Sequence, residues 1–404
     1  MADIELAGEQ NLQTSIKVAF GNASGGLLDQ VTPMEILMNE SILHPRLQTS
    51  VRVHSYYQNL PIKNLDQYKG SSISIELWRP ILEKFNITST LNIDQVVWRV
   101  DSRKLYNDNV EEFVIHACDP TLLIDAETLV SKFWKCTPPS PIVSEVLTAC
   151  AGARSIDVED SCCPRDYSAR NIHPFRVIAD QAEVALAGGN DPSFLHYMTY
   201  DNGGTHHFRS LYSLTKESSI ITYYFSQIGL KGGYANPKAI MTHNFPCDFD
   251  LLSDILNGLG PDGTNLSSMV SINPFTGASG ILGTEAIGCG SGVAMLKAAM
   301  TNATSTTEQD ACPDYSQFFA LKRQARMGLL EPDKIALRLV VPWNPELNAG
   351  KVITLDLRNK EDPSQQNYGS GDYLIHSLTH KIQYGGFSTT ALDCVSTSVG
   401  QGVV

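Results

Sequence analysis

The sequence of 404 residues lacks the features that mark membrane and secreted proteins. It has no run of about 18 apolar residues, so we expect no membrane insertion. No basic segment followed by an apolar one is present near its start, so we expect no secretory signal. Its nine cysteines are odd in number and include no C-x-x-C pair, which favours reduced, scattered thiols over a disulfide framework.

Positive charge is also scarce. Lys and Arg number 30 against 43 Asp and Glu, which gives a formal net charge of −13. This balance argues against broad binding to nucleic-acid phosphates. It suits a surface along which polyanions move without being bound. The apolar fraction of 42% is that of a folded globular protein.

Catalytic signatures are missing as well. No Gly-x-Ser-x-Gly occurs, and the glycine-rich residues 288–292 lack the Gly-Lys-(Ser/Thr) ending of a phosphate loop. His196, His206 and His207 form the one histidine cluster, on two strands that face each other. Because neighbouring residues of a strand point to opposite faces, at most one of His206 and His207 can join His196. We therefore expect no catalytic, cofactor-binding or metal-binding residues, and no enzyme.

What the sequence does contain is a repeat. Two segments read Gly-x-x-Ile-x-(Ile/Leu)-x-Leu after a short polar turn, with an offset of 280 between their isoleucines. The alternation is typical of a strand with one buried face. We predict that the repeated positions are structural barrel positions: Gly70, Ile73, Ile75 and Leu77 in the first copy, and Gly350, Ile353, Leu355 and Leu357 in the second.

The repeat continues downstream of these strands. Residues 96–100 have a counterpart in 373–378, and the returning strand 113–118 has one in 389–394, with a final offset of 276. Short alternating strands can look alike by chance. Order, spacing and turn chemistry agree over several elements, however, which favours two copies of one small β-barrel.

Between the copies the hydrophobic period changes. Ser140 is expected to cap a helix with Pro141 at its first position, and a second helix is expected from 173–174 to the glycines at 188–189. A hairpin is predicted around the turn at residues 201–204. We expect a mainly β protein with α+β insertions, divided into a first barrel (1–121), a middle α+β domain (122–215) and a second barrel (216–404) with an excursion at about 273–311.

The order of these elements resembles the baseplate hub proteins of contractile-tailed phages. This family includes the hub of T-even phages, the late control protein D group and the hub portion of type VI secretion spike proteins. The matching segments are the helix and hairpin at 175–186, 194–197 and 207–211, the strand and helix at 240–245 and 249–252, the barrel entry at 347–353, and the closing strands at 373–380 and 392–395.

The resemblance implies a structural late protein of the virion, assembled in the host cytoplasm. It implies a homotrimer whose six barrels form a pseudo-sixfold ring, which adapts the sixfold tail tube to the threefold central spike and forms part of the DNA channel. The implied partners are the tube protein, the spike protein, baseplate wedge components and DNA that passes without specific binding; no cofactor is implied.

Three other interpretations stay open. The chain could be the hub of a phage-derived contractile injection device, because that machine needs the same adaptor. A β-rich tail binding module, or adhesin, would explain exposed aromatic residues such as Tyr56, Tyr57 and those at 223–225. A cell-wall hydrolase on a hub-like scaffold is the weakest interpretation, because the catalytic motifs are missing.

Overall fold

The structure is a computed structural model, and it describes residues 13–20, 31–56, 68–107, 110–187, 191–224, 236–246, 269–272, 279–282, 323, 326–328, 330–357 and 369–395. Within these ranges, no helix combines the length and the hydrophobicity that crossing a membrane requires.

The described residues of the N-terminal part form six antiparallel strands. They are β1 (Ser15–Phe20), β2 (Val31–Ser41), β3 (Gln48–Tyr56), β4 (Ser72–Trp78), β5 (Thr90–Asn107) and β6 (Val110–Cys118), and they lie in the order β1-β4-β5-β6-β3-β2. A short 3-10 helix (Pro80–Phe85) follows β4. Burial alternates strictly along β4, so one face of the strand covers a hydrophobic core.

Strand β2 continues through a proline. Pro33 lies inside β2, where the pairing with β3 shifts register between Pro33 and Glu35. Proline has no N–H to donate, and a bulge is one of the few positions in a sheet that tolerates this loss. The strand therefore continues past the proline.

The middle module contains a small hairpin sheet and several helices. Its elements are α1 (Pro120–Glu127), β7 (Val130–Thr137), α2 (Pro139–Glu145), a π-turn (Val146–Cys150), β8 (Ser155–Val158), β9 (Arg165–Ile172), α3 (Pro174–Ala182), β10 (Phe194–Thr199), β11 (Thr205–Ser210) and α4 (Leu211–Leu214). The predicted hairpin is confirmed, with Phe194 opposite Ser210 and Thr199 opposite Thr205. The core of the module draws its residues from 130 to 208.

Both predicted helix boundaries need correction. Ser140 is not the cap of α2, because the helix begins at Pro139 after the extended Pro138; the Ser140 hydroxyl instead accepts the N–H of Ser161 at 3.0 Å. Helix α3 begins at Pro174 as predicted but ends at Ala182. The glycines at 188 and 189, which were expected to end it, lie outside the described residues.

The C-terminal part repeats the N-terminal strand order. Its strands are β12 (Thr222–Tyr224), β13 (Thr242–Asn244), β16 (Leu337–Pro342), β17 (Val352–Asp356), β18 (Gly371–Gln383) and β19 (Thr389–Val395), and β14 (Met269–Ile272) and β15 (Ser279–Leu282) form a separate pair. The order β17-β18-β19-β16-β13 matches β4-β5-β6-β3-β2 strand for strand. The helix segment at 249–252 and most of the excursion expected at about 273–311 lie outside the described residues.

The two strand groups share one sheet. Strand β2 of the first group pairs antiparallel with β18 of the second, so twelve strands of the described residues are connected, over two hydrophobic cores. The predicted class is confirmed: the chain is mainly β, with two similar strand groups and an α+β module between them. The exact limits at residues 121 and 215 stay predictions.

Candidate assembly site

The eight repeated positions occupy equivalent places in the two strand groups. The two glycines have positive φ, at 78° for Gly70 and 84° for Gly350. The six apolar side chains are buried, with Ile73, Ile75 and Leu77 in the first core and Ile353, Leu355 and Leu357 in the second. Their role in a ring-shaped assembly stays a prediction.

A tight turn with the same hydrogen bonds precedes each repeated strand. In the first group, the N–H of Gly70 donates to the carbonyl of Val97 at 2.8 Å, and the N–H of Val97 donates to the carbonyl of Ser71 at 2.9 Å. This reciprocal pair fixes the start of β4 against the middle of β5. The positive φ of Gly70 permits the turn at no steric cost.

The second group repeats this arrangement at the backbone level. The N–H of Gly350 donates to the carbonyl of Ile375 at 2.9 Å, and the N–H of Ile375 donates to the carbonyl of Lys351 at 2.9 Å. The surroundings differ, because a Cβ added to Gly350 would come within 2.5 Å of the Tyr197 hydroxyl, whereas one added to Gly70 would meet nothing within 4 Å. The second turn is therefore packed against the middle module.

The long central strand of each group carries a bulge at the matching position. The pairing of β5 with β6 skips Trp98, and the pairing of β18 with β19 skips His376, an offset of 278. A bulge does not follow from an alternating sequence, so its recurrence supports the duplication independently of the strand pattern. The side chains have diverged: Trp98 is 40% exposed, whereas His376 is buried with its Nε2 2.9 Å from the carbonyl of Leu330.

Glu40 holds the junction between the two groups and the middle module. It lies on β2 opposite Leu378 of β18. Its two carboxyl oxygens accept the N–H of Tyr200, at the end of the hairpin strand, and the N–H of Ala349, in the turn before β17, each at 2.7 Å. One side chain thus connects three parts of the chain that are distant in sequence.

The environment of Glu40 keeps its carboxyl neutral over much of the physiological range. Burial raises the pKa of Glu40 to about 8; the two N–H donors lower it, and the nearby charge of Asp201 raises it further. Removal from water disfavours the charged form more strongly than two neutral donors can offset. In the sequence, this site is indicated only by the position of Glu40 within a mainly apolar run at residues 34–43, which also contains Glu35.

Arg79 links the first group to the second. Its guanidinium Nη1 donates to the carbonyl of Trp343, and both residues are buried. Burial lowers the pKa of Arg79 to about 10, an effect that the nearby Tyr223 opposes. At neutral pH the side chain is therefore a buried cation. Sequence analysis missed it, because nothing in the local pattern at Arg79 identifies a contact 264 residues away.

The two groups also exchange core residues. Ile81, Leu82 and Ile87, which follow β4, pack into the core of the second group. Trp343 and Ile382 of the second group pack into the core of the first. The cores are therefore interlocked, and neither group buries its own hydrophobic residues alone.

The histidine cluster is arranged as the strand pattern predicted. His196 Nε2 lies 3.1 Å from His206 Nδ1, while His207 faces the other side, with Nδ1 2.9 Å from Asp157 and Nε2 2.9 Å from the Thr199 hydroxyl. Burial lowers the pKa of His206 to about 4 and that of His196 well below its ordinary value. In the described part of the chain, no three His, Cys, Asp or Glu side chains are grouped to hold a metal ion.

Comparison with known proteins identifies the fold. No protein-family model and no curated protein matches the sequence. Among solved structures, a tail protein from Neisseria meningitidis MC58 superimposes with a TM-score of 0.56 at 8% identity, over 96% of this chain and 98% of that one. The 43 kDa tail protein of prophage MuSo2 from Shewanella oneidensis gives a TM-score of 0.54 at 10% identity, over 95% and 98%. The chain therefore has the fold of these tail proteins, in agreement with the fold that the sequence resemblance predicted.

Proposed function

We propose that this chain is the structural hub of a phage tail baseplate. In this proposal, three copies form a ring that joins a sixfold tail tube to a threefold central spike and surrounds part of the DNA channel. Its partners are the tube protein, the spike protein and baseplate wedge components. It acts by assembly in the virion tail and catalyses no reaction.

The observation that carries the proposal is the duplication within a single chain. Two strand groups share their strand order, a glycine turn with the same hydrogen bonds and a bulge at matching positions. A trimer of such a chain presents six similar surfaces while keeping threefold symmetry. A closed ring of this kind can match a sixfold partner on one side and a threefold partner on the other.

The fold and the charge balance support the same proposal. The two solved tail proteins correspond to nearly the whole length of this chain, so the similarity is not limited to one module. The net charge of −13 opposes tight binding to DNA phosphates, as a channel through which DNA moves requires.

Measurement of the mass in solution tests the proposal. Sedimentation velocity or mass photometry should give a species of three times the chain mass of 44.2 kDa. Negative-stain images of that species should show a ring with a central opening. Incubation with purified tube and spike proteins from the same genome should give complexes with both.

Other results would contradict the proposal. A stable monomer that binds glycans would support the adhesin interpretation, and degradation of purified cell wall by the chain would support an enzyme. The variant Leu82→Ala is the control for misfolding. This substitution of a buried residue should weaken the fold, so any loss of trimers in it shows the effect of misfolding alone.

A further inference from the structure

Two cysteines that are neighbours in the chain bring their thiols together on the surface of the middle module. Cys162 is exposed and Cys163 is half-buried, and their sulfur atoms lie 3.4 Å apart. Both residues belong to the connection between β8 and β9. Neighbouring side chains of an extended segment point to opposite faces, so the local fold has to produce this close approach.

The backbone that carries the two thiols is held by hydrogen bonds to other elements. The N–H of Ser161 donates to the Ser140 hydroxyl at 3.0 Å, and the N–H of Cys162 donates to the carbonyl of Leu186 at 3.0 Å. Directly after these contacts, Cys163 has a φ of 80°, a value that residues other than glycine adopt uncommonly. The folded backbone therefore keeps both sulfur atoms on the same side of the segment.

The surroundings of Cys162 favour its thiolate. The hydrogen bond with Cys163 lowers the pKa of Cys162 to about 7; burial opposes this shift, and a backbone N–H adds to it. The thiolate is the form of cysteine that attacks disulfides. Cys162 is thus an accessible nucleophile at neutral pH, with a second thiol within reach of its sulfur atom.

We propose that Cys162 and Cys163 form a reversible disulfide with each other when the chain meets a low-molecular-weight disulfide. The Cys162 thiolate attacks one sulfur of the small disulfide, which gives a mixed disulfide and releases one small thiolate. The Cys163 thiolate then attacks the Cys162 sulfur and releases the second. The protein gives up two protons and two electrons, and the small disulfide takes them up to become two thiols.

A bond between adjacent residues should be easy to reduce. Consecutive Cα atoms lie about 3.8 Å apart, whereas disulfides usually join Cα atoms that are about 4.4–6.8 Å apart. Strained and exposed disulfides have the more oxidising potentials and are the labile ones. The pair should therefore stay reduced against an excess of glutathione and become oxidised where small disulfides prevail.

Oxidation should leave the rest of the fold in place. In the reduced state the Cys162 thiol also donates to the carbonyl of Leu186, at 3.4 Å. The disulfide removes this donor, but the N–H of Cys162 continues to occupy the same carbonyl. Because the pair also lies outside both strand groups, its oxidation should not depend on the formation of trimers.

Peptide mapping of the folded chain tests the proposal. The chain is incubated at pH 7 with glutathione disulfide as the probe, and remaining thiols are then blocked with N-ethylmaleimide in urea. Trypsin releases residues 155–165, which contain Cys162, Cys163 and no other cysteine. We expect this peptide to be lighter by two hydrogen atoms and to carry no blocking group. Excess reduced glutathione should restore the form that carries two blocking groups.

Single variants test the order of the two steps. Cys163→Ser should stop the reaction at the mixed disulfide, so that the peptide carries one glutathione. Cys162→Ser should add glutathione to the peptide much more slowly, because the first nucleophile is missing. Cys136→Ser removes an exposed thiol of the same module and is the matched control, which should leave oxidation of the pair unchanged. Circular dichroism should be the same for all three variants.

The reaction rate should depend on the fold. At pH 7, a pKa of about 7 in place of 9.0 makes the Cys162 thiolate about fiftyfold more abundant, and the lower reactivity of the weaker base removes about eightfold of this gain. We therefore expect Cys162 to react roughly sixfold faster in the folded chain than in urea at the same pH.

Three results would overturn the proposal. The first is a folded chain whose peptide keeps two blocking groups, and the second is a rate in urea equal to that of the folded chain. The third is an unsubstituted chain whose peptide retains glutathione, because Cys163 would then not complete the exchange. None of these measurements depends on the mass in solution, so they test the thiol pair separately from the proposed hub.

Discussion

At the scale of single residues, the most consequential side chain is Glu40. A carboxylate on a strand normally faces water, because burial of its charge is costly. Here the pairing of β2 with β18 fixes the position of Glu40. The backbone N–H groups of Tyr200 and Ala349, each 2.7 Å from a carboxyl oxygen, need an acceptor at this buried place. The neutral carboxyl satisfies both donors without the cost of a buried charge.

Glu40 should make the stability of the protein depend on pH. Its pKa is about 8 in the folded state against an ordinary value of 4.5. The unfolded chain therefore loses this proton at lower pH than the folded chain does, and the contribution of Glu40 to stability, complete below pH 4.5, is lost as the pH rises to about 8. Urea unfolding at several pH values should show a flatter dependence in Glu40→Gln than in the native chain.

The same variant should be less stable at low pH. The side chain of glutamine has only one oxygen, so its NH2 group would face one of the two backbone N–H groups. That backbone N–H would lose its acceptor, and an unsatisfied buried donor costs about 1–3 kcal/mol. Glu76→Gln is the control, because Glu76 is on an exposed face of β4 and makes a surface ion pair with Lys17. An unchanged pH profile in Glu40→Gln would show that Glu40 is not the group that titrates.

At the scale of elements, the repeated unit is a turn followed by a strand and its bulged neighbour. The backbone hydrogen bonds of the two turns agree, while the packing around them differs. The first turn has open space at Gly70, and the second is covered by Tyr197 of the middle module. The two copies of the unit therefore share their backbone hydrogen bonds but differ in the residues that pack against them.

This difference predicts unequal effects of one substitution at two equivalent positions. Gly70→Ala should cost about 1 kcal/mol of unfolding free energy, because an L-residue there must adopt positive φ. Gly350→Ala should cost clearly more, since its Cβ would also overlap the Tyr197 hydroxyl at 2.5 Å. Urea unfolding of the two single variants measures both costs.

The double variant Gly350→Ala/Tyr197→Phe measures how much of the loss of unfolding free energy at Gly350 is steric. Removal of the hydroxyl should recover part of the extra loss at Gly350. The same Tyr197→Phe change combined with Gly70→Ala should recover nothing. Equal losses in Gly70→Ala and Gly350→Ala would show that the contact with Tyr197 does not constrain the second turn.

At the scale of the whole molecule, the two strand groups are interlocked rather than linked end to end. Residues after β4 complete the second core, and Trp343 and Ile382 complete the first. The continuous pairing of β2 with β18 adds a shared ladder. We therefore expect the groups to unfold together.

Leu82→Ala tests this coupling. Leu82 belongs to the first half of the sequence but is fully buried in the second core. The substitution should cost about 2–5 kcal/mol, as for other large-to-small changes in a core. Hydrogen exchange should then show reduced protection in β17 and β18 as well as in β3.

The exposed Leu129 provides the comparison for Leu82. Leu129→Ala should change the unfolding free energy by less than about 0.5 kcal/mol, as is usual for surface positions. Loss of protection limited to β3 and β4 in Leu82→Ala would contradict the coupling, because the two groups would then behave as independent units.

Local pattern was sufficient to predict much of this fold. Alternation identified β4 and β17, the Asn-Gly turn identified the hairpin, and the repeat identified the duplication, because each of these signals lies within a few neighbouring residues or in a comparison of two such stretches. The prediction failed at Ser140, because the helix begins at Pro139 rather than at the expected Pro141.

The strands, the duplicated unit and the class of the fold follow from local sequence pattern, because side-chain period and turn chemistry are local properties of the chain. The folded molecule was needed to show that β2 pairs with β18, that Glu40 is buried at their junction, and that the two cores exchange Leu82 and Trp343. These contacts join residues that are hundreds of positions apart, and their energy depends on burial and distance, which a linear pattern does not contain.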